Sequence, residues 1–225
     1  MCFSAEASIT AGVLLSFVGT ETLRKVHKPS QIVFAGIPLF FASQQFTEGV
    51  VWLTIPHQEY AVLQAMATYV FLAMAQVIWP MMVPISVLLM EHNKIRKRIL
   101  VAFLAMGTVV ALYYVYGLVF YHAHAEISFM HIAYQSTFKN SYSTIPVGLY
   151  LVATILPLFI SSVKRTSVLG VIIGLSFVVS LVFYMKCLTS VWCFFAAVVS
   201  FVIFYIIRDA HKKFHFKKLT PVLEY

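Results

Sequence analysis

Long apolar runs alternate with short polar connections along the whole chain, and the runs are of membrane-spanning length. At about 20 apolar residues per crossing, seven runs qualify as helices: 4–23, 32–55, 60–90, 99–121, 144–161, 166–185 and 190–207. The third is the longest and contains Pro80 and Pro84. Proline lacks an N–H and crowds the carbonyl four residues before it, so a kink is predicted at Gln76 to Pro80, with a backbone carbonyl freed there. Gly170 and Gly174 form a small-xxx-small pair in the sixth run, a pattern suited to close helix packing. Between the fourth and fifth runs lies a longer connection, 122–143. Its Ile127, Phe129, Met130, Ile132, Tyr134 and Phe138 predict a loop that packs down over the bundle as a cap. No segment copies another, so no internal repeat is expected.

Composition narrows the class. Hydrophobic residues make up 61% of the chain, charged residues 11%, and mean hydropathy is +0.88. Soluble domains carry about 25% charged residues. The expectation is therefore an all-α polytopic membrane helix bundle, one domain over residues 1–225, with no room for a soluble domain. The first apolar run has no basic segment before it and no small-residue cleavage site after it, so it is expected to remain as a span.

The basic residues predict an orientation, because Lys and Arg in short loops are retained on the cytoplasmic side. Arg24, Lys25 and Lys28 fill the first connection, Lys94, Arg96, Lys97 and Arg98 the third, and Lys164 and Arg165 the fifth. Arg208, Lys212, Lys213, Lys217 and Lys218 lie in the tail, 208–225, leaving only Lys139 and Lys186 for the other side. The predicted N-terminus faces out and the C-terminus in. The net charge of +8 is then a topology signal that calls for no nucleic acid, and the lipid bilayer is the expected partner.

Within this frame one residue is anomalous. Glu48 falls inside an otherwise nearly uncharged run, and an ionisable side chain there costs several kcal/mol unless it faces a polar partner, a bundle interior or water. Gln45, Glu48 and Trp52 share one helical stripe, with Gln44 a turn before Glu48. Glu48 is the candidate acid/base group, with Glu6 and Cys2 as further catalytic candidates on the same outward side. Gln45, Trp52, Gln76, Trp79, Tyr113, Lys186 and Trp192 are the candidate ligand-binding residues. Each has a structural alternative: Glu48 as helix-fastening glue, Glu6 as a complement to the helix dipole beside the Ser4 cap, Lys186 as a snorkelling cation. Cys2 could instead pair with Cys187 in an oxidising compartment. The histidines His57, His122, His124 and His131 match no zinc signature, so no metal site is assigned and no cofactor is identified. Phosphate-loop, dinucleotide and GxSxG motifs are absent.

Four stretches in order carry a resemblance: MCFSAEAS from Met1, PLFFASQQFTEGVVWL from Pro38, YVFLAMAQVIWPMMVPISVLLME from Tyr69 and VWCFFAAVVS from Val191. They resemble a family of uncharacterised bacterial multi-pass membrane proteins that begin with MCFSA. The resemblance implies a seven-helix body in a bacterial inner membrane and no particular activity. It draws attention to Cys2, Ser4, Gln45, Glu48, Trp52, Trp79, Pro80 and Trp192. The resulting expectation is an outward-facing intramembrane polar pocket centred on Glu48, for ligand binding or catalysis, with a small molecule or lipid as ligand. The alternatives are a small proton-coupled transporter, disfavoured because the inner half lacks a polar path, and a structural or partner-binding protein with no active site. Substrate and oligomeric state are not specified by the pattern.

Overall fold

The computed structural model describes residues 4–128, 130–138, 143–163 and 165–219, with side chains at 196 and 211–219 excepted. Helices dominate: α1 Ala5–Arg24, α2 Ile32–Thr54, α3 Ala61–Leu72, α4 Trp79–Met90, α5 Lys94–Phe120, α6 Thr144–Ile160, α7 Thr166–Phe183, α8 Leu188–Val198 and α9 Ser200–Leu219. Each predicted run has a helical counterpart, the third being built from α3 and α4 and the seventh from α8 and α9. Among the described residues, four helical stretches are long and apolar enough to cross a membrane: Gln58–Met90, Lys94–Phe120, Thr166–Phe183 and Met185–Ala210. α1 and α2 are of comparable length, 20 and 23 residues, but polar side chains, including Gln44, Gln45 and Glu48 in α2, dilute their hydropathy. The outer faces of α5 and α7 expose Val109, Leu112, Val119, Leu175, Val178 and Val182. A surface of this kind is costly in water and suited to hydrocarbon.

The two ends of the bundle differ. At one end Glu91, between α4 and α5, bonds Ser162, between α6 and α7, so two of the basic connections lie together. The opposite end carries a feature not foreseen as regular structure. Residues expected to form a loop contain an antiparallel hairpin, β1 Ala123–Ser128 and β2 His131–Ser136, paired from Ala123↔Ser136 to Ser128↔His131. The cap expected of this segment is partial: Ile132, Tyr134 and Phe138 are buried, whereas Ile127 and Met130 are exposed and Phe129 lies outside the described residues. Ala123, Ala125, Ile132 and Tyr134 are buried, and Tyr134 stacks on Phe71 of α3 with centroids 4.5 Å apart. Gln64 donates to the Ala125 carbonyl at 3.2 Å, and the Ala123 N–H donates to the Tyr69 hydroxyl at 3.2 Å.

The predicted disturbance at Pro80 is present as a π-helical segment, Ala73–Ile78, joining α3 to α4. In that register a carbonyl looks five residues ahead rather than four. The partner of the Ala75 carbonyl would be the N–H of residue 80, which proline lacks. The freed carbonyl is therefore that of Ala75, one residue before the predicted position, and the Tyr150 hydroxyl of α6 donates to it at 2.6 Å. The Pro80 carbonyl meets α5 so closely that a Cβ on Gly107 would lie 1.9 Å from it. The glycine pair singled out in the sequence splits. Gly170 packs on Phe159, whereas a Cβ at Gly174 would meet nothing within 4 Å.

Gly107→Ala is expected to destabilise the bundle by about 1–3 kcal/mol, since a backbone carbonyl cannot rotate aside as a side chain can. Gly148→Ala, where an added Cβ meets nothing within 4 Å, is expected to be neutral or stabilising. Thermal loss of monodispersity in detergent compares the two; equal melting of both variants would refute the close approach.

Candidate functional site

The polar stripe of α2 faces α8, and the two helices form a two-rung ladder. Glu48 is fully buried, and the Ser190 hydroxyl donates to its Oε1 at 2.5 Å. One turn along, the Gln44 amide nitrogen donates to the Cys193 sulfur at 3.0 Å. The spacing explains the pairing: residues 44 and 48 are four apart on one helix, 190 and 193 three apart on the other, each pair on a single face. The Gln44 carbonyl oxygen also accepts from the Trp79 indole N–H at 3.0 Å, which extends the network to α4. Trp79 is clamped by Phe41, stacked at 4.2 Å, and Phe40, edge-on at 5.1 Å. Gln45 lies against the Glu48 carboxylate, yet neither of its amide atoms nor Glu48 Oε2 completes a hydrogen bond.

Three partly open cavities lie in this part of the bundle, two of them walled in part by Cys193 of the ladder. The first, about 50 Å³, is walled by Trp79, Val83, Tyr150, Leu158, Trp192 and Cys193, among others. A second of about 50 Å³ shares Tyr150, Trp192 and Cys193 with it and adds Gln76 and Tyr114. The third, about 10 Å³, shares Gln76 and Tyr114 with the second and reaches Tyr134, Gln135 and Ser136 of the hairpin. Trp192 is wedged between Tyr150, at 5.7 Å, and Phe177, at 5.1 Å, and its indole nitrogen is buried without a hydrogen-bond partner.

These positions sort the predicted residues. Gln76, Trp79 and Trp192 line cavities, while Glu48 and Gln45 sit in the ladder and line none of the three. The carboxylate is turned into the α2–α8 interface, and the two larger cavities alongside it have largely apolar walls. Trp52 is half-buried, its indole nitrogen unpartnered, against the cluster that includes Val51 and Phe71. Tyr113 packs on Tyr114 and on Phe138 beyond the hairpin, at 5.5 and 5.1 Å. Glu6 is exposed in the first turn of α1, where Ser4 accepts from the Ala7 N–H, the capping arrangement. Lys186 is exposed and, among the described residues, pairs with neither Glu6 nor Glu48. Cys2 lies outside the described residues, as does Lys139. Cys187, its proposed disulfide partner, is a buried free thiol, as is Cys193. Among the described residues no three His, Cys, Asp or Glu side chains gather as a metal site.

Sequence reasoning missed Ser190, Tyr150 and the role of Glu91. Glu91 is buried at the end of α4, where its carboxylate accepts from the N–H groups of His92, Asn93 and Ser162 at 2.7–2.8 Å and from the Ser162 hydroxyl at 2.8 Å. Arg96 donates to the same hydroxyl at 2.9 Å. Burial pushes the carboxyl up, but the Asn93 and Ser162 donors, joined by His92, outweigh it and hold the group down at about 2.

The molecule so defined is a predominantly helical bundle with a polar ladder between two helices and apolar cavities beside it. The chain belongs to a family of unknown function, DUF6629, whose model matches residues 1–217. No curated protein and no solved structure matches it.

The depressed Glu91 carboxyl contributes stability that is present above the ordinary carboxylate value, near 4.5, and is lost as pH falls towards about 2. Glu91→Gln is expected to cost on the order of 2 kcal/mol at neutral pH. Its melting temperature should fall less than that of the unmodified protein between pH 5 and pH 2.5; parallel declines would remove Glu91 from this role.

Proposed function

We propose that this is a multi-pass membrane protein of seven spans, resident in a bacterial inner membrane, that binds a small apolar or amphipathic molecule within its bundle. α1, α2 and the 17-residue α6 would join the four apolar stretches as spans. The basic connections would face the cytoplasm and the hairpin the outside, in line with the retention of Lys and Arg. One observation carries the binding reading: two cavities of about 50 Å³ share a wall of Tyr150, Trp192 and Cys193. Each has room for about four water-sized groups, and such walls suit apolar contact with a few polar handles. Glu48 then serves as the fastening between α2 and α8 rather than as a reactive group.

A second reading, in which Glu48 exchanges protons, is supported by the unpartnered state of Glu48 Oε2 and of both Gln45 amide atoms. One experiment separates them. Phenyldiazirine, an arene-sized photolabel, should label Trp79, Tyr150 or Trp192 saturably in protein held in lipid nanodiscs. Ile173→Phe, which fills the first cavity, should lose that label while labelling of lipid-facing Leu112 persists. Non-saturable labelling, or no effect of Ile173→Phe, would sink the cavity reading. Glu48→Gln should leave labelling intact; loss of labelling in a variant that still folds would favour the second reading. A reporter fused after the C-terminus should read cytoplasmic, and a periplasmic signal would invert the topology.

A further inference from the structure

The hairpin buries much of its two strands and leaves its tip bare. Ile127 and Met130, beside and within the turn, are exposed. The residues next to them hold that turn against the end of α7. Cys187 donates its thiol to the Ser128 carbonyl at 3.9 Å, and the His131 ring stands edge-on to Tyr184 at 4.9 Å. Tyr184 ends α7, and Met185–Cys187 form the short helical turn that leads into α8. Here too the apolar side chains point away from the core, Phe183 being 73% and Met185 70% exposed. Two bare apolar edges, distant in sequence, thus stand side by side at the hairpin end of the bundle. Such a patch is costly in water. It also continues a longer surface, because Val178, Val179 and Val182 are exposed on the face of α7 that carries Phe183.

Lys186 follows directly on this edge. It is exposed and, among the described residues, is the one lysine or arginine at this end and makes no ion pair. A cation beside an apolar edge matches the boundary between hydrocarbon and phosphate, with the stem along the apolar surface and the ammonium at the headgroups. Resting on the membrane placement proposed above, and independent of the cavity reading, we propose that the hairpin tip and the α7–α8 turn form an interfacial anchor docked on the outer leaflet. Ile127, Met130, Phe183 and Met185 dip to the acyl boundary, and Lys186 pairs with the phosphate of an anionic phospholipid. Two features select lipid over a protein partner: the patch is continuous with the lipid-facing side of α7, and its one charge complements a phosphate surface. The hairpin is then held from two sides, by α3 and by the bilayer.

The test uses the full chain in phosphatidylcholine nanodiscs doped with phosphatidylglycerol or phosphatidylcholine carrying a diazirine beside the acyl carbonyl, with cross-links mapped by peptide mass spectrometry. Cross-links are expected at Met130 as well as at Phe183 or Met185, about fivefold more from phosphatidylglycerol, the worth of one cation at an anionic surface. Lys186→Gln should abolish that preference while a mid-chain diazirine still labels Val178 and Val182. Hydrogen peroxide in the water phase should oxidise Met130 and Met185 several-fold more slowly than a methionine tripeptide in the same solution. Oxidation at the tripeptide's rate, cross-links that stop at α7 and miss Met130, equal labelling by the two lipids, or a preference that survives Lys186→Gln overturns the proposal. Protection of Met130 in native membrane vesicles but not in nanodiscs assigns the edge to a protein partner and overturns it equally. If Val178 and Val182 are unlabelled as well, the membrane placement of α7 falls with the anchor; if they are labelled, only the anchor falls.

Discussion

A proline in the middle of a long apolar helix sets the terms for the rest of this bundle. Pro80 lacks an N–H and is buried, so the backbone group it abandons must find a partner within the protein. The π-helical segment shifts the deficit to the Ala75 carbonyl, and Tyr150 of α6 supplies the donor. The same disturbance brings the Pro80 carbonyl against Gly107 of α5 and aims Trp79 at Gln44 of α2. Three neighbouring helices are thus positioned against one turn of α4. The cavities lie where the widened turn and the clamping aromatic rings leave the interior incompletely filled.

The ladder between α2 and α8 answers a second requirement. Burying a carboxylate costs several kcal/mol unless it is bonded or neutralised. A single serine donor satisfies one oxygen of Glu48 and leaves the other without a partner. Packing alone would be served at lower cost by an apolar side chain of similar volume. The ladder therefore contributes specificity: a slip of α8 past α2 by one residue would separate Ser190 from Glu48 and Cys193 from Gln44 at once.

Features that depend on the rarity of a residue type were readable in the sequence. An acid among apolar residues marked Glu48, and prolines marked the disturbed turn, because each violates a local rule that few alternatives can repair. Trp79 and Trp192 were marked by the stretches that carry the family resemblance. Partners were not readable. Tyr150 donates to a backbone carbonyl, which leaves no pattern in side-chain identity, and Ser190 is one small hydroxyl among many. The clamp of Glu91 on Ser162 joins residues 71 positions apart, a separation no local pattern spans. In the hairpin, AHAEIS begins with an alternation that its small alanines leave indistinct, and HIAYQS has none, its first four residues all being buried. The partner of the polar stripe was unreadable for a related reason. Spacing locates a side chain on a stripe of its helix, but not the neighbour that the stripe faces.

That neighbour is where ladder and cavity meet. Cys193 takes part in both: its sulfur accepts from Gln44, and it lines the two larger cavities together with the adjacent Trp192. On the binding reading, a molecule entering beside Trp192 would press on the turn of α8 that also carries Ser190. Rotating or shifting that turn lengthens the bonds to Gln44 and Glu48 together, since both rungs hang from one rigid helix. On the same reading, occupancy of the apolar space and the hydrogen bonding of the buried acid would be linked through that one helical turn.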